Sequence, residues 1–413
     1  TDDVKKQLDG SKGKNIDVKV NDQQATKNIQ EVEKRLASAS NQSKSFEQTI
    51  RNALNIGSAA AVTIKAIQMI RSAAKEAVDA VKDFDGAITD LRTATGQNYE
   101  TVKKWVVGYN QMGQALGATT TEVADSANTW LRQGRTVAEA NSLIETTMVL
   151  SKVGMLDSAD AAEYLTSAMK GYQVAVEDVA GIVDKLTSVD AHAAVSAGDL
   201  AEAMSQTAVT AADAGISMDK LLGYLAAVGE VTQKDMSSIG NAFKTIFTRM
   251  SDIKSGKLEL IDEDGTTEIL SDVETILNNL NIKLRDSDNE FRNFGDVLDE
   301  VAAKWDTYSD VQQAALGKAF AGTRQQENFR VLMANYDKAR EYMDIAADSA
   351  GSAEKKFSAY LDSIEAKTKS LQAAFESLAV NTFSTEMFGG IIEATTGLVE
   401  FLDKTNLVKA ALI

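Results

Sequence analysis

The side chains that most often carry out catalysis are scarce in this chain. Among its 413 residues there is one histidine, His192, and there is no cysteine. A Ser–His–Asp triad would therefore depend on a serine and an aspartate that the fold brings to His192. Because cysteine is absent, the chain has no thiolate nucleophile, no disulfide and no thiolate zinc site. We interpret His192 as part of a helix end or a turn.

Clustered carboxylates are the second candidates for chemistry. The run from Asp286 to Glu290 is acidic like a calcium loop, but it lacks the central glycine and the closing glutamate of an EF-hand. The run from Asp262 to Asp264 has no apolar surroundings that would move the pKa values of two carboxyls apart, as acid–base catalysis requires. Motifs of nucleotide-binding loops, zinc proteases and serine hydrolases are absent. We therefore predict no catalytic residue, no metal site and no cofactor, so the chain is not expected to be an enzyme.

The composition favours helices throughout the chain. No proline occurs, where average usage would supply about twenty. Since a proline inside a helix costs about 3 kcal/mol, its complete absence is typical of a chain that is helical nearly everywhere. A hydrophobic share of 44% supports packed cores, and an aromatic share of 6% suits packed helices better than a sandwich or a barrel. The sequence predicts a mainly α fold.

The net charge of −17 is concentrated in the middle of the chain. Residues 111–243 contain 17 acidic and 7 basic side chains. An acidic surface repels phosphate, so we predict no specific nucleic-acid binding. The same surface also keeps a crowded protein soluble, and this simpler interpretation stays open beside the first.

Four segments follow one another along the chain. Residues 1–83 are predicted as an extended N-terminal segment and a long helix, and residues 84–255 as a compact all-α core domain. Residues 256–345 are predicted as a β-insertion plus helices, and residues 346–413 as a C-terminal long helix and an amphipathic segment. We thus expect a compact multi-helix domain with a small β-hairpin insertion, flanked by long coiled-coil-like helices.

Capping residues and glycines mark helix ends in the core domain. Thr119 with Glu122, and Thr136 with Glu139, have the spacing of a capping box. These signals predict about eight helices in this domain. Helices are expected to stop near the five glycines Gly117, Gly134, Gly154, Gly171 and Gly215.

Residues 29–81 repeat apolar side chains with a 3-4-3-4 spacing. Thirteen of the sixteen positions in this series are apolar, which indicates the seam of a coiled coil. A weaker series recurs every seven residues in one long helix predicted over residues 353–380. The predicted oligomer seam consists of Ile29, Val32, Leu36, Phe46, Ile50, Ile64, Ile67, Phe357, Ile364, Leu371 and Leu378.

The stretch 52–70 holds a single charge and is nearly as long as a membrane span. Several polar residues dilute this stretch, and the coiled-coil seam accounts for the same apolar positions. A membrane-active helical protein of the pore-forming type is the alternative function that the stretch leaves open.

Six segments form an ordered set over about residues 84–340. They are Phe84–Gly96, Gln114–Ala124, Ala212–Asp219, Ile239–Arg249, Leu284–Trp305 and Ala321–Gln326. This set resembles the core region of phage tail tape measure proteins, in its longer form. The structural residues that the resemblance singles out are Phe84, Asp85, Gly117, Thr119, Glu122, Gly215, Gly322, Thr323 and Arg324.

The resemblance implies a structural role without catalysis. Tape measure proteins lie extended in the tail tube of long-tailed phages, where their helical length sets tail length during assembly, and they leave ahead of the DNA at genome ejection. The implied location is the virion, in the tube lumen or at the tail tip, after synthesis in the host cytoplasm. The implied partners are copies of the chain itself, with a trimer favoured by the tube's symmetry, the tail tube and tail tip proteins, the tail assembly chaperones and, at ejection, the host membrane.

Overall fold

The fold is mainly α, which confirms the prediction from composition. The computed structural model describes residues 79–254, 259–261, 267–287 and 290–382. The predicted N-terminal seam and the apolar stretch 52–70 lie outside these residues. Among the helices that the structure describes, none combines the length and the hydropathy needed to cross a bilayer.

Fifteen α-helices follow one another in the described residues. They are α1 (residues 79–95), α2 (Tyr99–Leu116), α3 (Thr120–Arg132), α4 (Val137–Gly154), α5 (Ser158–Tyr172), α6 (Val179–Asp190), α7 (Ala197–Asp213), α8 (Met218–Thr232), α9 (Met236–Lys254), α10 (Leu270–Asn279), α11 (Phe294–Lys304), α12 (Asp310–Ala334), α13 (Tyr336–Ala347), α14 (Ser352–Leu361) and α15 (Ile364–Thr382). Two antiparallel hairpins flank α10. They pair β1 (Glu259–Ile261) with β2 (Thr267–Ile269), and β3 (Arg285–Ser287) with β4 (Glu290–Phe291). The small β-insertion around a helix is thus confirmed.

Local hydrogen bonds begin the helices where the sequence predicts. The Thr119 hydroxyl accepts from the Glu122 backbone N–H, and the Glu122 carboxylate accepts from the Thr119 backbone N–H, so a capping box begins α3. Thr136 and Glu139 form the same reciprocal pair at the start of α4. Such a cap stabilises a helix by about 1 kcal/mol, because it satisfies backbone donors that the helix start leaves free.

One buried apolar cluster extends from α1 to α14. Helix α7 lies near its centre and packs against α5, α8 and α9. A row of buried rings continues from there into the later helices, with neighbouring ring centroids 5.1–6.4 Å apart. The row consists of Tyr224, Phe243, Phe247, Phe294, Phe320, Phe329 and Trp305. Because these rings come from both sides of residue 255, the two chain segments share one core.

The glycines near helix ends serve two different purposes. Gly215 has a φ of +80° and forms the turn between α7 and α8, as predicted. Gly171 instead lies inside the last turn of α5, and the left-handed residue there is Gln173. A Cβ added to Gly171 would stand 2.7 Å from the backbone carbon of Ala208. Gly171 is therefore needed for the close crossing of α5 and α7.

The prediction of one long helix over residues 353–380 is wrong. The chain forms α14 and α15, which are separated by two residues. The Ser363 hydroxyl accepts a hydrogen bond from the Ala366 backbone N–H at 3.1 Å and begins α15. The break brings Tyr360 and Ala366 onto Gly117, where an added Cβ would lie 3.2 Å and 2.8 Å from their side chains. Close packing on this glycine overrides the local preference for a continuous helix.

Candidate functional site

A buried polar corner forms where the end of α2 and the start of α3 meet one face of α15. We call it the α2–α3 corner. The positive φ of Gly117 turns the chain at the end of α2, and the capping box then begins α3. Gly117, Thr119 and Glu122, three of the residues singled out by sequence, are thus brought together here. The residues that α2 and α3 contribute to the corner are Asn110, Gln114, Gly117, Thr119, Thr120 and Glu122.

Glu122 is the charged centre of the corner. Its Oε1 accepts hydrogen bonds from Lys152 of α4 at 2.8 Å and from Lys369 of α15 at 2.6 Å. Burial by itself would raise the pKa of Glu122, but the hydrogen bonds from the two lysines outweigh it and hold the pKa below its usual value. An ionised Glu122 therefore joins three helices.

Glu376 of α15 occupies the N-terminus of α3. Its Oε2 accepts hydrogen bonds from the Thr120 backbone N–H at 3.2 Å and from the Thr120 hydroxyl. Glu376 is 2% exposed. Burial raises its pKa, the hydrogen bonds from Thr120 offset part of the rise, and the Asp83 carboxylate adds to it. The carboxyl group satisfies a free backbone donor at the positive end of the helix dipole.

Two further hydrogen bonds connect α2 to the backbone and side chains of α15. Asn110 Nδ2 donates to the carbonyl oxygen of Ala373 at 2.7 Å. The Ser370 hydroxyl donates to the carbonyl oxygen of Gln114 at 2.9 Å. Polar groups of α2 and α3 thus bond to α15 beside the packing of Ala366 on Gly117.

The predicted C-terminal seam residues do not share one face. Phe357 is buried in the core from α14 and stacks on Tyr360, with ring centroids 5.8 Å apart. Ile364 and Leu371 of α15 are 85% and 70% exposed. The side chain of Leu378 and the seam residues Ile29, Val32, Leu36, Phe46, Ile50, Ile64 and Ile67 lie outside the described residues.

The other residues singled out by the resemblance lie at separate places. Phe84 is buried in α1 and the neighbouring Asp85 is exposed. The carbonyl oxygen of Gly215 accepts a hydrogen bond at 2.9 Å from Asn293, which precedes α11. These residues anchor α1 and α11 to the core and do not form a common site.

Gly322 produces a kink inside α12. Its φ of 64° and ψ of −174° are not helical, and the exposed Thr323 and Arg324 follow directly. Before the kink, the carbonyl oxygen of Ala319 accepts a hydrogen bond at 3.0 Å from Nε of the buried Arg249. The positive charge of Arg249 thus lies at the C-terminal end of the first half of α12, where it interacts favourably with the negative end of the helix dipole.

Of the candidates for chemistry, the run from Asp262 to Asp264 and residues 288–289 of the second acidic run lie outside the described residues. His192 is exposed in the turn after α6, where its Nδ1 lies 2.8 Å from the carbonyl oxygen of Ser188, as expected for a turn histidine. Asp286 lies in β3. Within the described residues, no group of three or more histidine, aspartate or glutamate side chains is placed to hold a metal ion.

A buried tyrosine network connects α8, α11 and α13. The Tyr224 and Tyr336 hydroxyls are 3.0 Å apart, and Tyr336 donates to Asp299 at 2.8 Å. Lys220 reaches the other oxygen of Asp299 at 2.8 Å. Burial raises the pKa of both tyrosines above the usual value, so they stay neutral. The network fastens α11 to the core.

An open depression of about 300 Å³ lies beside the Gly215 turn. None of its lining residues is charged. Its lining residues are Gly171, Tyr172, Gln173, Ala212, Gly215, Ile216 and Ser217.

Sequence reasoning missed most of the α2–α3 corner. Asn110, Lys152, Lys369 and Glu376 have no motif around them, and each becomes a partner only when distant helices meet. The spacing of Thr119 and Glu122 was the available signal, and it indicated a helix start alone. That spacing did not indicate that Glu122 also accepts hydrogen bonds from two lysines.

These features define a mainly α protein whose polar groups, in the described residues, join helices. The family model of phage-related minor tail proteins matches residues 109–322, which is just over half of the chain. The chain therefore belongs to this family and is a structural protein of the phage tail. No solved structure matches it.

Proposed function

We propose that the chain is part of a tape measure protein, which helps to set tail length during assembly and acts without catalysis. One observation carries the proposal: the minor tail protein match lies in a chain of 413 residues without proline. Helices convert residue number into length at about 1.5 Å per residue. A segment that forms one extended helix, as the sequence predicts over residues 29–81, is therefore suited to act as a ruler.

We propose the tail tube or tip as its place in the virion, and release at genome ejection. Its proposed partners are copies of itself, with a trimer favoured, the tube and tip proteins, the tail assembly chaperones and the host membrane at ejection. The excess of 17 acidic over 7 basic side chains in residues 111–243 supports a surface to which passing DNA does not adhere.

A deletion in the heptad segment tests the ruler directly. Removing residues 36–70 from the full-length gene product keeps the seven-residue register, since five heptads are lost. If the segment is an extended helix, tails measured by electron microscopy will shorten by about 50 Å at roughly 1.5 Å per residue.

Duplication of the same residues is the matched control, and it should lengthen tails by the same amount. Both variants keep the seven-residue register on either side of the change. Complete tails of unchanged length in both variants would contradict a ruler function for this segment.

A further inference from the structure

We propose that α15 is exchanged between neighbouring copies of the chain, so that α15 of one copy docks on the α2–α3 corner of a second copy. The inference rests on the proposed function, in which copies of the chain lie side by side. It names the surface through which two copies are joined.

The first support is the way α15 is attached. Its described buried apolar residues are Ala366 and Ala373, whereas Ile364 and Leu371 point away from the corner and are exposed. Hydrogen bonds and ion pairs of Lys369, Ser370 and Glu376 supply the specific contacts. Because the buried apolar side chains described on α15 are alanines, their release costs little apolar area.

The second support is the connection between α14 and α15. Residues 352–382 contain neither glycine nor proline, and apolar side chains recur in them every seven residues. Such a sequence favours one continuous helix. The bend after α14 is therefore imposed by docking, and a straight helix would carry α15 away from the corner of its own chain.

The third support is that the exchanged contact already exists. A second copy presents the same Glu122, Asn110 and Gly117, so α15 finds every partner that it has within its own chain. Exchange of an identical element between copies has a low cost for this reason. Copies held together in an assembly also present their corners to each other at high effective concentration.

A proline at position 364 separates the two forms. In the bent form Ile364 is the first residue of α15 and its side chain is 85% exposed. Proline is well tolerated at the first helical position. In the straight form the same position is inside a continuous helix. Proline there should lower the population of the straight form by about a hundredfold.

The test uses the full chain with cysteines introduced at both sides of the contact. Because the chain has no cysteine of its own, Gln114→Cys with Ser370→Cys gives one reactive pair for a short bis-maleimide. The exchange predicts covalent multimers that increase with protein concentration. Adding Ile364→Pro should reduce them by about a hundredfold and leave a cross-linked monomer. Ile364→Ala is the matched control and should preserve the multimers.

Several results would overturn the proposal. Cross-linked monomer alone at every concentration means that α15 stays in its own chain. Multimers that persist with Ile364→Pro mean that copies meet through another surface. No cross-link in any variant means that α15 does not dock on the corner. The tail-length experiment is independent of all three, so failure of the exchange and failure of the ruler are told apart.

Discussion

Helices α7 and α15 are both attached to the same unit, but by different interactions. Helix α7 lies among α5, α8 and α9, and its Leu200, Ala203 and Met204 are completely buried. Helix α15 exposes Ile364 and Leu371 and turns alanines and polar groups inward. The attachment of α7 depends on apolar area and close packing, whereas the described side chains of α15 contribute mainly hydrogen bonds and charges.

This difference determines how each helix responds to change. Apolar packing tolerates neither lost nor added volume, because neighbouring side chains fill the space. A polar contact contributes about 1 kcal/mol net, and its contribution depends on pH wherever a carboxyl group takes part. The centre of the bundle should therefore be sensitive to changes of side-chain volume, and the attachment of α15 to the ionisation of its carboxyl partners.

The largest expected effect is loss of a ring at the centre. Phe247→Ala should lower the free energy of unfolding by about 3–5 kcal/mol, because Phe247 is fully buried in the row of rings. Leu371→Ala on α15 should change it by less than about 0.5 kcal/mol, since that side chain is largely exposed. Urea unfolding of both variants measures the difference, and equal losses would show that α15 is covered like α7.

An intermediate effect is expected where α9 crosses α7. A Cβ added to Gly240 would lie 2.5 Å from the carbonyl oxygen of Ala203, so Gly240→Ala should destabilise the fold by about 1–3 kcal/mol. Gly108→Ala in α2 is the control, because nothing lies within 4 Å of the added carbon. It should stabilise by about 0.5–1 kcal/mol through helix preference. Thermal unfolding of both variants measures these changes in stability. A Gly240→Ala variant more stable than the parent chain would contradict the close crossing of α9 and α7.

The smallest effect concerns the pH dependence of the attachment of α15. The folded-state pKa of Glu376 is raised above 4.5, so above pH 4.5 the folded state binds more protons than the unfolded state. Attachment of α15 should therefore weaken as pH rises through this window. Glu122, whose pKa is lowered, loses its contribution only as pH falls below 4.5.

Hydrogen exchange of the α15 amides, corrected for intrinsic rates, measures this dependence. Protection should fall with rising pH in the parent chain and stay level in Glu376→Gln, which keeps an acceptor for Thr120. The amides of α7 provide the internal reference. A parent chain whose α15 protection is level from pH 4.5 upward would contradict the assignment to Glu376.

Prediction from sequence succeeded where the cause is local. The capping boxes at Thr119 and Thr136 begin helices as expected, because a side chain bonds to a backbone group three residues away. At Gly171 the helix ends close to the predicted position, but the sequence did not show that this glycine serves a helix crossing or that Gln173 adopts the left-handed conformation. The crossing partner is Ala208, which is distant in sequence and leaves no signal beside Gly171.

By itself, the sequence determined that this protein is mainly α, where many of its helices begin and that its middle is acidic. These properties follow from backbone preferences, caps and composition, which act over a few residues. Only the tertiary structure decided that α15 bends away from α14 and that Glu122 and Glu376 join distant helices at one corner. Those outcomes depend on Gly117 leaving room for Ala366, and steric fit between segments far apart in the chain arises only when they meet.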